Sequence, residues 1–156
     1  MPKEIERKFL VKNTGYRQLG QYIQIHQGFL CTEKERVVRV RIMGKQAFLT
    51  IKGISKGMSR AEYEYKIPVA DAKYMLENLC IRPTINKYRY KVNIEGFIWE
   101  IDEFLGENEG LVIAEIELKS AGQQFPVPEW IGEEVTEDVR YYNANLVKNP
   151  FKSWKT

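Results

Sequence analysis

In the run Glu4-Ile5-Glu6-Arg7-Lys8-Phe9-Leu10 an extended backbone puts Glu4, Glu6 and Lys8 on one face and Ile5 and Phe9 on the other. Two acids beside a base can hold a cation against an anion. The same spacing returns as like-signed doublets at Arg39/Arg41, Glu62/Glu64, Lys87/Arg89, Glu100/Asp102 and Glu115/Glu117. Like charges adjacent on a sheet face repel, so these doublets need opposite charge nearby. Crowded carboxylates raise one another's pKa unless cations neutralise them. All-oxygen ligation suits magnesium or manganese, whereas zinc or iron would call for His and Cys. His26 is the only histidine and has no partner at ligand spacing, so it reads as a strand residue.

The basic members, Lys8, Arg39, Arg41, Lys52, Lys87 and Arg89, need an anion in turn. Arg forks take phosphate oxygens two at a time and Lys supplies a point charge. A chain of phosphates bridged by divalent metal satisfies both sets, and the chemistry implied is phosphoryl transfer, most simply to water. No Walker-type glycine loop is present, and Ser55 and Ser59 lack a partner base for covalent catalysis.

Bulk properties agree. Charged residues make up 29% of the 156, yet 24 basic against 21 acidic side chains leave only +3. That balance argues against a nucleic-acid partner, whose binding rests on excess Lys and Arg. Cys31 and Cys80 form no Cys-x-x-Cys motif and read as reduced thiols. No signal region or apolar run of membrane-spanning length is seen, so a single cytoplasmic domain over residues 1–156, with no membrane partner, is expected.

The elements that must position these residues are mostly strands. Period-2 alternation predicts them at 3–12, 22–31, 36–43, 46–53, 59–67, 86–94, 96–104 and 111–119, with hairpin turns at Met43-Gly44-Lys45-Gln46 and Ile94-Glu95-Gly96-Phe97. A helix is expected from Val69 to Leu79, capped by Asp71, with Met75, Leu76 and Leu79 on one face. A weaker helix falls at Tyr16 to Tyr22 and a terminal one at Asp138 to Val147. Pattern alone allows a sandwich with solvated charged faces as readily as a barrel; the doublets favour a mainly β, eight-stranded antiparallel closed barrel with a charged lumen and two or three flanking helices. Tyr63, Tyr65, Tyr88, Tyr90 and Trp99 then pack on the outside, where the apolar face also allows a homodimer. Arg7 falls in that outer phase, to pair with an acid outside the lumen. Lys148, Lys152 and Lys155 read as a solvated basic tail.

The Glu4-x-Glu6-x-Lys8 run resembles the signature of the CYTH superfamily, the triphosphate tunnel metalloenzymes, and its short single-domain bacterial branch in particular. The likeness continues through Arg39-Val40-Arg41, Leu49-Thr50-Ile51-Lys52, Arg60 to Glu64, Lys87-Tyr88-Arg89, Glu100-Ile101-Asp102, Glu115-Ile116-Glu117 and Trp130 to Thr136. It implies a tunnel that hydrolyses a triphosphate, inorganic tripolyphosphate or a nucleoside triphosphate, with Mg2+ or Mn2+. By resemblance Glu4, Glu6, Asp102, Glu115 and Glu117 are metal ligands. Lys8, Arg39, Arg41, Lys52, Lys87 and Arg89 bind substrate, with Glu62 and Glu64 in the same substrate-binding set, either orienting these bases or binding metal, and Glu4, Glu6 and Lys87 act in catalysis. Other members of the superfamily are adenylyl cyclases, and a polyphosphate-binding module without turnover is the third alternative.

Two departures stand out. Some short relatives carry Gly-Tyr-Leu on the second strand, its tyrosine paired with the lysine matching Lys87, where this chain has Gly28-Phe29-Leu30. Without a hydroxyl, metal activation of water must suffice or the preferred substrate differs. The segment Tyr141-Tyr142-Asn143-Ala144 also lacks a lysine that would carry a phosphate contact on the terminal helix.

Overall fold

The computed structural model describes residues 3–57 and 59–154, with side chains from Ile5 onward. In chain order the elements are β1 (Lys3–Val11), β2 (Gln21–Cys31), β3 (Arg36–Met43), β4 (Gln46–Gly53), β5 (Ser59–Ile67), α1 (Val69–Asn78), β6 (Ile85–Ile94), β7 (Phe97–Phe104), β8 (Val112–Glu117), β9 (Ile131–Glu134) and α2 (Asn143–Lys148). All pairings are antiparallel, in the order β5-β4-β3-β2-β6-β7-β8-β1-β9. A further pairing of Lys3 with Ala61 and Ile5 with Ser59 joins β1 to β5 and closes eight strands into a barrel. The ninth strand extends the same edge of β1 beyond β5, pairing Val11 with Ile131.

Both predicted hairpins form, with Met43 paired to Gln46 and Ile94 to Phe97. In the second, Glu95 (φ 52°) shares the positive backbone angle with Gly96 (φ 90°), as a tight turn between twisted strands requires.

The strand alternation sends most charged residues inward and most apolar ones outward, and much of the outward face is covered, while Ile51, Tyr63 and Tyr65 on β4 and β5 stay exposed. Phe9, Trp99, Ile101, Ala114 and Ile116 pack beneath Tyr16, Trp130 and Phe125. On another side α1 lays Ala72 and Leu76 on Val40 and Ala47. A Cβ on Gly28 would come within 2.9 Å of the Cys80 Cβ, so glycine there lets the end of this helical segment rest directly on β2. A third cluster lies in the inward phase of the strands, where Phe29, Ile85, Phe104 and Ile113, each two residues from Gln27, Lys87, Asp102 and Glu115, meet Leu146 and Val147 of α2.

Several expectations are corrected. The segment from Tyr16 to Tyr22 is no helix: one 3-10 turn, Gly15–Gln18, inserts Tyr16 against Tyr90 and Trp130, and β2 starts at Gln21. The terminal helix begins at Asn143, not Asp138, because Tyr142 is extended and a separate 3-10 turn occupies Val139–Tyr141. In α1 the N-cap is Pro68 rather than Asp71, and Leu79 lies past the last turn with 57% exposure. The short β9 had no strand signal of its own. Among the described residues no helix is long and apolar enough to cross a membrane.

Candidate active site

Strand register decides which charges meet. On β1 and β8, Lys8 faces Glu115 and Glu6 faces Glu117; on β7, Glu100 faces Glu115. On β6 and β7, Arg89 faces Asp102, and on β4 and β5, Lys52 faces Glu62 and Thr50 faces Glu64. All these side chains share the inward phase. They surround a cavity of about 1120 Å3 lined by Glu6, Lys8, Arg39, Arg41, Lys52, Glu62, Glu64, Lys87, Arg89, Glu100, Glu115 and Glu117. The backbone of Glu4 pairs with Arg60, and its side chain lies outside the described residues.

Asp102 sits behind the cavity wall. One oxygen is 2.7 Å from Lys87 Nζ, and Arg89 donates to both oxygens, from Nε at 2.8 Å and Nη2 at 2.9 Å. Burial alone would raise this carboxyl, but Arg89 and Lys87 outweigh it and hold it well below the usual carboxylate range. A place among metal ligands would require those bonds to open.

Burial is the largest influence on Lys87, whose ammonium is brought down to about 7 despite Asp102, with Arg89 and Arg41 pressing the same way. Arg41 is likewise lowered by burial and by Arg39 and Arg89. Three guanidinium groups and an ammonium are thus gathered where only part of their charge is balanced. An entering polyanion relieves that repulsion.

Across the barrel the acids predominate. Glu6 and Glu117 are directly opposed like charges, as are Glu100 and Glu115, an arrangement that disfavours full ionisation unless a cation is near. Burial would raise Glu115; Lys8, 3.9 Å away, and a hydrogen bond with Glu6 reverse this and bring it down to about 2. The all-oxygen set of Glu6, Glu115 and Glu117 fits a hard divalent cation. Among the described residues no three acids already form a closed cage.

Glu64 is tied to the cations, since its carboxylate lies 3.7 Å from Arg39 and accepts a hydrogen bond from Thr50 Oγ1, which accepts one from Arg39. Arg7 points outward to Glu134, as its phase implied. Lys148 on α2 is exposed, as the tail reading has it, and also borders the cavity; Lys152, exposed too, lies 3.6 Å from Glu109, and Lys155 is outside the described residues.

Sequence reasoning missed three polar residues of this network. Gln27 is fully buried, accepts from Arg41 Nε at 2.9 Å and donates to Asn143 Oδ1 at 2.9 Å; the same oxygen accepts from Lys87 Nζ at 3.1 Å. Thr50 is the third. Gln27 and Thr50 share the inward phase of Phe29 and Lys52, which was the signal available. Asn143 carried none, because its role depends on where the terminal helix starts.

Comparison with known proteins agrees with this geometry. A model of the CYTH domain matches residues 2–149. An inorganic triphosphatase of Acetivibrio thermocellus is 55% identical over 155 residues, 99% of this chain and 99% of that protein. An inorganic triphosphatase of Nitrosomonas europaea is 39% identical over 147 residues, 92% of this chain and 95% of that one. A crystal structure of an inorganic triphosphatase matches with a TM-score of 0.67 at 35% identity, covering 92% of this chain and 97% of that chain.

Proposed function

The chain belongs to the CYTH family, and from that premise we propose that it hydrolyses a triphosphate within the barrel, with residues 1–156 working as one domain. Inorganic tripolyphosphate ranks ahead of a nucleoside triphosphate as substrate, because both curated relatives are named for inorganic triphosphate. The observation that carries the reading is the division of the lumen: cations from β3 and β6 on one side, opposed acids from β1 and β8 on the other.

In this reading Arg39, Arg41, Lys87 and Arg89 hold the phosphate chain, with Lys8 and Lys52 flanking it. Asp102 and Glu64 fix the direction of those cations and do not compete for the substrate. Glu6, Glu115 and Glu117, together with Glu4, are the proposed ligands of a magnesium or manganese ion. Bound there, that ion would neutralise phosphate oxygens and lower the pKa of a water. The water oxygen attacks the terminal phosphorus, the bridging P–O bond breaks, and pyrophosphate leaves with its new charge against the cationic wall. Lys87, with a pKa of about 7, can strengthen its hold as charge builds on the leaving oxygen. Phe29 supplies no hydroxyl, and its ring belongs to the apolar cluster beside α2, so proton transfer does not run through this position.

The test is phosphate release by purified protein from tripolyphosphate and from ATP, each with magnesium or manganese. Orthophosphate with pyrophosphate supports hydrolysis. Cyclic AMP with pyrophosphate from ATP would show a cyclase instead, and tight binding without any product would show a binding module.

A further inference from the structure

Asn143 is the first residue of α2, and its side-chain oxygen accepts from Lys87 Nζ at 3.1 Å and from Gln27 Nε2 at 2.9 Å. Gln27 in turn presents Oε1 to Arg41 Nε at 2.9 Å. Both ends of this chain of bonds are obligate donors, since Lys and Arg carry no acceptor. The orientation of each amide follows: an oxygen must face Lys87 and another must face Arg41, which leaves the Gln27 NH2 to bridge to Asn143. Tyr142, next to Asn143, also lies under the Lys8 ammonium, 5.3 Å from ring centre to Nζ. The start of one short helix therefore touches cations from β1, β6 and, through Gln27, β3.

We propose that Asn143 is a positioning residue: its amide oxygen, with Gln27, fixes Lys87 and Arg41 in a common geometry for the phosphate chain and ties that geometry to the seating of α2. The physical case is that both cations are almost fully buried, at 1% and 7% exposure, among like charges that would otherwise drive them apart. Neutral acceptors can hold such groups without cancelling the charge a phosphate needs. Asp102, 2.7 Å from Lys87 Nζ and bonded to Arg89, supplies opposite charge; Asn143 and Gln27 add direction without adding more of it. The packing of Leu146 and Val147 into the apolar cluster anchors the other end of the helix, so the amide is held by the core and not by solvent.

This inference rests on the reading of the lumen as a triphosphate site, and a double-mutant cycle separates the two. Affinity for inorganic tripolyphosphate is measured by titration calorimetry in wild type, Asn143→Leu, Lys87→Met and the double variant. Asn143→Leu should weaken binding about tenfold alone and less than about twofold when Lys87→Met is present, because coupled sites are non-additive. The same factor in both backgrounds, or no loss in the single variant, overturns the assignment. If Asn143→Leu does not fold, Gln27→Met read against Arg41→Met makes the same test at the other joint. Wild type that binds tripolyphosphate without releasing phosphate defeats the hydrolytic reading and leaves the coupling to be decided by the cycle. Wild type that does not bind defeats both.

Discussion

Lys87 Nζ stands 2.7 Å from Asp102 Oδ2, with the two side chains only 1% and 2% exposed. Removing one partner from such a pair strands an uncompensated charge, and here Asp102 serves Arg89 as well. Asp102→Ala should therefore destabilise the fold by about 3–5 kcal/mol in urea unfolding, and tripolyphosphate should restore part of the loss by supplying the missing negative charge. A variant as stable as wild type would show that the carboxylate is dispensable to the cationic wall.

Arg41 is buried, crowded by Arg39 and Arg89, and held from one side by neutral Gln27. Its guanidinium is thus still in need of an anion. Arg41→Ala should weaken tripolyphosphate binding by roughly 10- to 100-fold, corresponding to a charge-assisted contact of about 1.5–3 kcal/mol, with the folded state retained. Calorimetry on the folded variant checks it; unchanged affinity would remove Arg41 from the substrate site.

Most of this site was legible because a strand has a period of two and the charges respect it. Among the described residues, Glu6 of β1, Glu100 of β7 and both members of the doublets on β3, β5, β6 and β8 line one lumen. Pairing across strands was not legible in the same way. Asp102 looks like any other acid in sequence, yet register sets it beside Arg89 and withdraws it from the cavity. Gln27 finds Asn143 at a separation of 116 residues, which no local pattern encodes. The misread segment near Tyr16 has a local cause too. A Cβ at Gly20 would sit 2.2 Å from the Lys91 carbonyl oxygen, so the chain there is pressed onto β6 and cannot wind into further helical turns.

Glu6 on β1 faces Glu117 on β8, one pair along from Lys8 and Glu115. Glu6→Gln keeps the shape and a hydrogen-bonding group while deleting the charge a divalent ion requires. Metal-dependent phosphate release should fall by at least about 100-fold, and thermal stability without metal should hold or rise, since a repulsive neighbour of Glu117 is lost. Activity near the wild-type level would mean that the metal is held by other residues.

His26 offers a pH prediction away from the site. Its Nε2 is 2.9 Å from Thr84 Oγ1, and burial first, then the Arg82 charge, lowers its pKa against a smaller opposing pull from Glu77. A base lowered on folding binds its proton more readily in the unfolded chain. Between the folded value and the ordinary value of 6.5 the unfolded state therefore carries more protons, and stability falls as pH drops through that window. His26→Gln removes the titration and can keep a bond to Thr84. Its midpoint of thermal unfolding should match wild type closely at about pH 7.5 and exceed it at about pH 5.5, where only wild type bears the cost of forcing a proton onto a half-buried ring. Parallel losses in the two proteins between those pH values would place the acid sensitivity in the carboxylates.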